Sequence, residues 1–267
     1  MSQAQAKALK DYALYLAHMR AIGAVGHRGG SGATKALLAA CDLEPGQRVL
    51  EVGCGTGHTA KVIAGRYGAS VIAVDEGRHL VDAALNRLQR KRLDAAVVQA
   101  DGRLLPFADS SFDVLVCESV LAFLSDRATA LAEFCRVLRP GGLLANNEVT
   151  FTRQPPPDFL AALEEASGQS GGSLLVPVNA DAHRGDLEKA GFVTVSVQTS
   201  DAPIRRQFLG QIRLDGWKAL RPLFESIFNR ELRQLVYNRE MAAAQRIFMQ
   251  HTGYGLYLAR KVAGATE

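Results

Sequence analysis

The stretch Val49-Leu50-Glu51-Val52-Gly53-Cys54-Gly55-Thr56-Gly57 decides how the rest of this chain is read. Apolar residues around one acid predict a buried strand, and glycine at every second position predicts a turn whose backbone approaches something closely. His58 to Tyr67 follows as a helix-like segment whose first N–H groups face the same place. A dinucleotide fingerprint needs GxGxxG, but His58 stands where its third glycine belongs. A P-loop needs Lys-Ser or Lys-Thr after its last glycine, and neither follows. The turn therefore suits a nucleoside ligand without phosphates, laid across exposed backbone.

Strands and helices alternate outward from this turn. Upstream, Leu9, Tyr12, Ala13 and Leu16 fall at helical spacing within residues 4–19, His27 to Gly32 is too glycine-rich for regular structure, and Ala33 to Cys41 reads as a helix. Downstream come a strand from Ser70 to Val74, a helix from Leu80 to Lys91, and strands from Ala95 to Gln99 and Phe112 to Cys117. A helix from Arg127 to Leu138 is stopped by Arg139-Pro140-Gly141-Gly142, and Leu143 to Glu148 is a fifth strand. Such alternation predicts an α/β fold, with parallel strands, right-handed crossovers and helices on both faces.

The rhythm then changes. Pro155-Pro156-Pro157 and a glycine-rich link from Ser167 to Ser173 precede a helix from Asp181 to Ala190 and an alternating strand, Val193/Val195/Val197. About fifty residues separate that strand from a last one, Tyr254 to Lys261. Trp217, Leu220, Phe224, Ile227 and Phe228 give this insertion an amphipathic face, and it reads as a helical lid.

Composition sets outer bounds. With 267 residues and a net charge of +4, the chain can hold one large domain, and its charge does not by itself argue for nucleic acid. Cys41, Cys54, Cys117 and Cys135 are widely spaced and form no CxxC pair, which suggests reduced thiols in a cytoplasmic protein and no zinc site. Neither a charged-then-apolar leader nor a run of about eighteen apolar residues occurs, so secretion and membrane spanning are not expected.

Acids stand at strand ends, where an open parallel sheet presents its ligand crevice. Asp75, with Glu76 beside it, follows the turn by about twenty residues, where a carboxylate accepts ribose hydroxyls. Asp101, next to Gly102, is placed to accept from an exocyclic amine, with Leu104 as apolar surface for a purine. A lone aspartate at a strand end is as easily a helix cap or turn former. Several in step with a glycine turn point to a ligand.

As a set, VLEVGCGTG (49–57), VIAVD (71–75), ADGRLLPF (100–107), SFDVLV (111–116) and LRPGG (138–142) resemble the successive motifs of class I S-adenosylmethionine-dependent methyltransferases. The resemblance covers roughly residues 33–150. It implies a Rossmann-like, seven-stranded, mostly parallel sheet with its last strand antiparallel. It also implies S-adenosylmethionine as cofactor. Its tail would lie over Gly53, Cys54, Gly55 and Gly57, its ribose on Asp75 with Glu76 adjacent, and its adenine near Asp101 and Gly102. Glu51 would orient the turn or a water at the tail amine, and Cys117 and Glu118 end the fourth strand beside it. Leu105-Pro106-Phe107 and Asn147-Glu148 are most similar to the ubiquinone/menaquinone and sterol small-molecule branch. The domain would run over 33–200 and 253–263, with a cover segment at 1–32 and the lid at 201–252.

The methyl acceptor is less legible. A general base is needed only for an acceptor that loses a proton, and Glu148, His27 and Tyr12 are the candidates, with Glu118 and His18 also in range. Cys117-Glu118-Ser119-Val120 is not the Asn/Asp-Pro-Pro-aromatic run of enzymes that methylate amide or base nitrogens. Ile204 to Arg246 holds nine basic residues against four acids, either a solvated helical face or a rim for an acidic substrate or peripheral lipid contact. The expected partner is a small-molecule acceptor, without nucleic acid and without a metal. The alternatives are a methyltransferase of tRNA or protein, and a cofactor-binding member that acts through a partner.

Overall fold

In the computed structural model the described residues are 27, 29–124, 126–161, 163, 176–201 and 239–263. Tyr12, His18 and the amphipathic segment around Trp217 lie outside them.

The elements, in order, are α1 (Gly30–Ala40), β1 (Arg48–Val52), α2 (His58–Val62) running into a π turn (Ile63–Tyr67), β2 (Ser70–Asp75), α3 (Arg78–Gln89) and β3 (Ala95–Gln99). Next come β4 (Phe112–Glu118), a 3-10 turn (Leu121–Phe123), α4 (Arg127–Val137), β5 (Leu138–Phe151), α5 (Ala180–Lys189), β6 (Phe192–Asp201), α6 (Arg239–His251) and β7 (Thr252–Lys261). They build one seven-stranded sheet in the order β3-β2-β1-β4-β5-β7-β6. β7 runs antiparallel to both of its neighbours, and the pairs from β3 across to β5 are parallel. The order reverses between β1 and β4, so the crevice beyond the carboxyl ends of those two strands is where a ligand is received.

Two expectations are corrected. Residues 29–32 are not irregular, because α1 begins at Gly30. Gly29, at φ +82, lies so near β7 that a Cβ there would sit 2.8 Å from the Tyr254 ring, and glycine lets the helix start against that strand. Nor does Arg139-Pro140-Gly141-Gly142 separate α4 from β5. The strand starts at Leu138, paired with Phe112, and a register shift before Val114 absorbs the extra residues around Gly141 at φ +75.

Side-chain alternation sorts the sheet into two faces. Val49, Val71, Ala73, Val114, Val116, Leu143 and Ala145 pack beneath α1, α2 and α3 through Ala33, Leu37, Ala60, Ile63, Ala84 and Leu88. Leu50, Val52, Val74, Leu115, Cys117 and Leu144 pack on the other face against Leu131, Phe134 and Val137 of α4 and Leu187 of α5. This second core holds a polar group that the sequence did not advertise. His183 of α5, buried edge-on against Tyr257 at 4.6 Å between ring centres, donates through Nε2 to Asn146 Oδ1 at 2.8 Å. Among the described residues no helix is long and apolar enough to cross a membrane.

Burial, and then the charge of Arg127, hold the His183 imidazole down at about 4 from its usual 6.5. Between those values the unfolded chain binds a proton that the folded chain refuses, so stability falls as pH drops through that window. The expected loss between pH 7 and pH 4.5 is roughly 2–3 kcal/mol from this group. Urea denaturation at the two pH values, compared with His183→Gln, checks it; equal slopes in both proteins would remove His183 as the cause.

Candidate functional site

The glycine turn is fastened to β2. The N–H groups of Gly53 and Cys54 both donate to the Val74 carbonyl, at 2.8 and 2.9 Å. Gly55 N–H donates to Asp75 Oδ2 at 2.9 Å. Gly53, Gly55 and Gly57 have φ of +73, +52 and +75, a region in which residues with a Cβ are strained. Their reasons differ. A Cβ at Gly53 would run into Val120, and one at Gly57 would lie 2.9 Å from the Cβ of Ala84, whereas Gly55 faces open space. Two glycines serve packing, and the third leaves backbone open to a ligand.

Three carboxylates converge on this turn. Glu51, Asp75 and Glu118 share the sheet face of Val49, Val71 and Val114, and they are 5% and 6% exposed, with 7% for the Glu118 side chain. Asp75 also accepts from Gly77 N–H at 2.9 Å. Among the described residues no Lys or Arg pairs with any of the three. Burial, then the charge of Glu118, push the Glu51 carboxyl well above the usual carboxylate range, and its Oε2 has no hydrogen-bond partner. Cys54, inside the turn, has its thiol raised by burial and then by Glu51 and Asp75.

Glu118 sits at the centre of a network that also reaches His27. Its Oε1 accepts from Thr59 at 2.9 Å, its Oε2 accepts from Asn147 at 3.1 Å, and Thr34 Oγ1 lies 3.3 and 3.1 Å from the two oxygens. Asn147 Nδ2 also reaches His27 Nδ1 at 3.0 Å, and His27 Nε2 lies 2.9 Å from Thr34 Oγ1. These contacts agree if Nδ1 accepts, the ring proton sits on Nε2 and is donated to Thr34, and the threonine hydroxyl donates to Glu118. His27 Nδ1 is 3.4 Å from Glu118 Oε2. Sequence reading missed Thr34, Thr59 and Asn147, since the first two stood in segments legible only as helices.

Glu148, taken from sequence as a candidate base, lies on the opposite face. It has no solvent exposure. Its Oε1 accepts from Val120 and Leu121 N–H and from Asn146 Nδ2, and its Oε2 accepts from Ala122 N–H, at 2.9 to 3.1 Å. Burial raises its pKa against the pull of those bonds. Arg127 donates to the Leu121 carbonyl of the same loop at 2.9 Å and to the carbonyl of Val176, in a separate segment, at 2.6 Å. Cys117 is likewise buried on that face, with its carbonyl accepting from Asn146 at 3.1 Å.

At the β3 end, Asp101 accepts two bonds at its Oδ2 from the Arg103 guanidinium, at 2.7 and 3.2 Å, and from Arg103 N–H at Oδ1 at 2.8 Å. The guanidinium lowers its pKa. Gly102 packs against Val52, Leu104 is 78% exposed, and Glu76 is exposed beyond β2.

Replacing Gly53 with Ala should destabilise the fold by about 1–3 kcal/mol, from backbone strain and the clash with Val120. Gly53→Ala combined with Val120→Ala should cost less than the two single changes summed, because the clash is shared. Strict additivity in urea denaturation would show that the two residues do not press on one another.

Comparison with known proteins agrees with this geometry. Residues 50–146 match a family described as a methyltransferase domain. An uncharacterized methyltransferase, YodH, of Bacillus subtilis is 35% identical over 144 residues, covering 54% of this chain and 61% of that protein. The 27-O-demethylrifamycin SV methyltransferase of Amycolatopsis mediterranei is 32% identical over 167 residues, covering 62% and 61%. The chain thus spans less than two thirds of either relative's length. Among solved structures, the [4+2]-cyclase SpnF superposes with a TM-score of 0.69 at 22% identity, over 95% of this chain and 94% of its own. A Haemonchus contortus phosphoethanolamine N-methyltransferase 2, in complex with S-adenosyl-L-methionine, gives 0.67 at 21% identity, over 88% of this chain and 54% of that one. At such identities these two likenesses establish the fold alone. Taken with the five motifs and the sheet order, the family match identifies residues 50–146 as a methyltransferase domain, similar to those of class I S-adenosylmethionine-dependent methyltransferases.

Proposed function

We propose that this chain moves a methyl group from S-adenosylmethionine to a small-molecule acceptor by in-line displacement. The observation that carries the reading is the convergence of Glu51, Asp75 and Glu118 on an open glycine turn, with no Lys or Arg paired to them among the described residues. Buried like charges disfavour one another, and a cationic ligand relieves that repulsion. S-Adenosylmethionine brings an ammonium, a sulfonium and a ribose, and when bound it supplies the activated methyl group. The chain's residues fit it. Glu51 has an unpartnered oxygen for an N–H donor or a water, Asp75 is a hydroxyl acceptor tied to the turn, and Gly55 opens the backbone between them.

Methyl transfer gains mainly from proximity, orientation and exclusion of water. In this reading Glu148 and Arg127 do not touch reacting atoms. They hold residues 120–122, and through Val120 they set the wall against Gly53. His27, beside Glu118, is the described candidate for accepting an acceptor's proton, which requires its Nδ1 lone pair to exchange the Asn147 N–H for the acceptor. Tyr12 and the basic lid keep the roles expected of them from sequence. The relatives' names favour an oxygen acceptor: one acts at a rifamycin 27-O position, and another is named O-methyltransferase rstn1. A polymer substrate would instead show steeply salt-dependent nucleic-acid binding.

Calorimetry with S-adenosylmethionine tests the reading, and saturable binding is expected. Asp75→Asn should weaken it by about tenfold or more, as for loss of hydrogen bonds to a charged acceptor. No binding to the native protein would overturn the reading, and an unaltered affinity in Asp75→Asn would displace the ribose from Asp75.

A further inference from the structure

The three carboxylates of the crevice are not equivalent, and the difference lies in how many acceptor positions each has left. A carboxylate offers about four lone-pair positions. Glu118 receives three donor hydrogens: Thr59 on Oε1, Asn147 on Oε2, and the single Thr34 hydroxyl hydrogen shared between the two oxygens, so a donor lies against each oxygen from two sides. Every one of those donors is neutral, so its charge is undiminished. Glu51 is the reverse, with a buried Oε2 that accepts nothing. Asp75 accepts one backbone N–H at each oxygen and keeps a position on each.

An ammonium or a hydroxyl needs lone pairs, because each binds through N–H or O–H donors. A sulfonium has no such hydrogen. It responds to charge alone, and a carboxylate whose two oxygens are already engaged by neutral donors supplies charge while offering little to a further donor. We propose that Glu118, positioned by Thr34, Thr59 and Asn147, reads the sulfonium charge of the methyl donor, so that it favours the donor over the neutral thioether left after transfer. This rests on the reading of the chain as a methyltransferase. The loss of the methyl takes the positive charge from sulfur, and the attraction to Glu118 goes with it. Such an interaction holds the ground state, so it sets donor affinity and product release and does not accelerate the chemical step.

The neighbouring groups accord with that assignment. His27 lies 3.4 Å from Glu118 across Nδ1, and Asn147 stands between them, donating to both. Thr59 opens the helix after the glycine turn, and Thr34 belongs to α1. Glu118 is therefore held from three elements, and its carboxylate cannot swing to follow a ligand.

Calorimetry on the full chain with S-adenosylmethionine and with S-adenosylhomocysteine tests this, because the two share ribose, adenine, ammonium and carboxylate and differ at sulfur. In Glu118→Gln, S-adenosylmethionine should weaken by about tenfold or more and S-adenosylhomocysteine by less than about threefold. Equal weakening of both would overturn the proposal and return Glu118 to the shared ammonium. Unchanged affinity for both would overturn it as well. Should Glu118→Gln show no cooperative melting, the native protein decides by itself: tighter binding of the charged ligand, with an advantage that shrinks as salt is raised, supports the proposal, and equal or weaker binding overturns it. Binding of neither ligand by the native protein would instead sink the methyltransferase reading.

Discussion

The Val74 carbonyl is the pivot of this molecule. It accepts the N–H groups of both Gly53 and Cys54, and so ties the end of β1 to the end of β2. The glycine turn hangs from that one acceptor, and Asp75, the next residue, catches Gly55. Because β1 pairs with β2 on one side and β4 on the other, the same tether sets where Glu51, Asp75 and Glu118 stand relative to one another. Left-handed glycines are the backbone's answer to that geometry: a side chain at 53 or 57 has no room, and one at 55 would cover the open backbone.

The alternation of the pleat then divides the labour between neighbours. Asn147 and Glu148 are adjacent in sequence and opposite in role. Asn147 joins Glu118 and His27 on the crevice face. Glu148 points into the other core, where it accepts three consecutive backbone N–H groups and braces residues 120–122 from behind. His183, Asn146 and Arg127 extend that buried polar support. The wall of the crevice, built from the buried Val120, Leu121 and Ala122, thus rests on a hydrogen-bonded core that holds its backbone in one conformation.

The crevice itself is electrostatically unbalanced. Three acids lie close together with little water and no paired Lys or Arg among the described residues, and Glu51 carries the penalty as a raised pKa. A site arranged in this way is less stable alone than with a cation in it. That imbalance, more than the fold, separates a chain suited to a sulfonium nucleoside from the many other uses of the same architecture.

The sequence by itself determined the α/β alternation, the position and freedom of the glycine turn, and the acids at strand ends. These are local features: periodicity, φ > 0 and chain reversal are written within a few residues. It misjudged Gly29 to Gly32 and Arg139 to Gly142, where close approach to Tyr254 and a register shift against Phe112 overrode local propensity. Glu148 looked like a candidate base because it ends the fifth strand. Counting alternation from Leu144 would have turned it away from the crevice and brought Asn147 forward. Only the tertiary structure decided that Thr34, Thr59, Asn147 and His27 gather around Glu118, since with Glu118 they come from four separate stretches of chain whose meeting depends on strand order and helix packing. Chemistry-bearing residue types can be read along the chain. Which lone pairs they have left can be read only once their neighbours are in place.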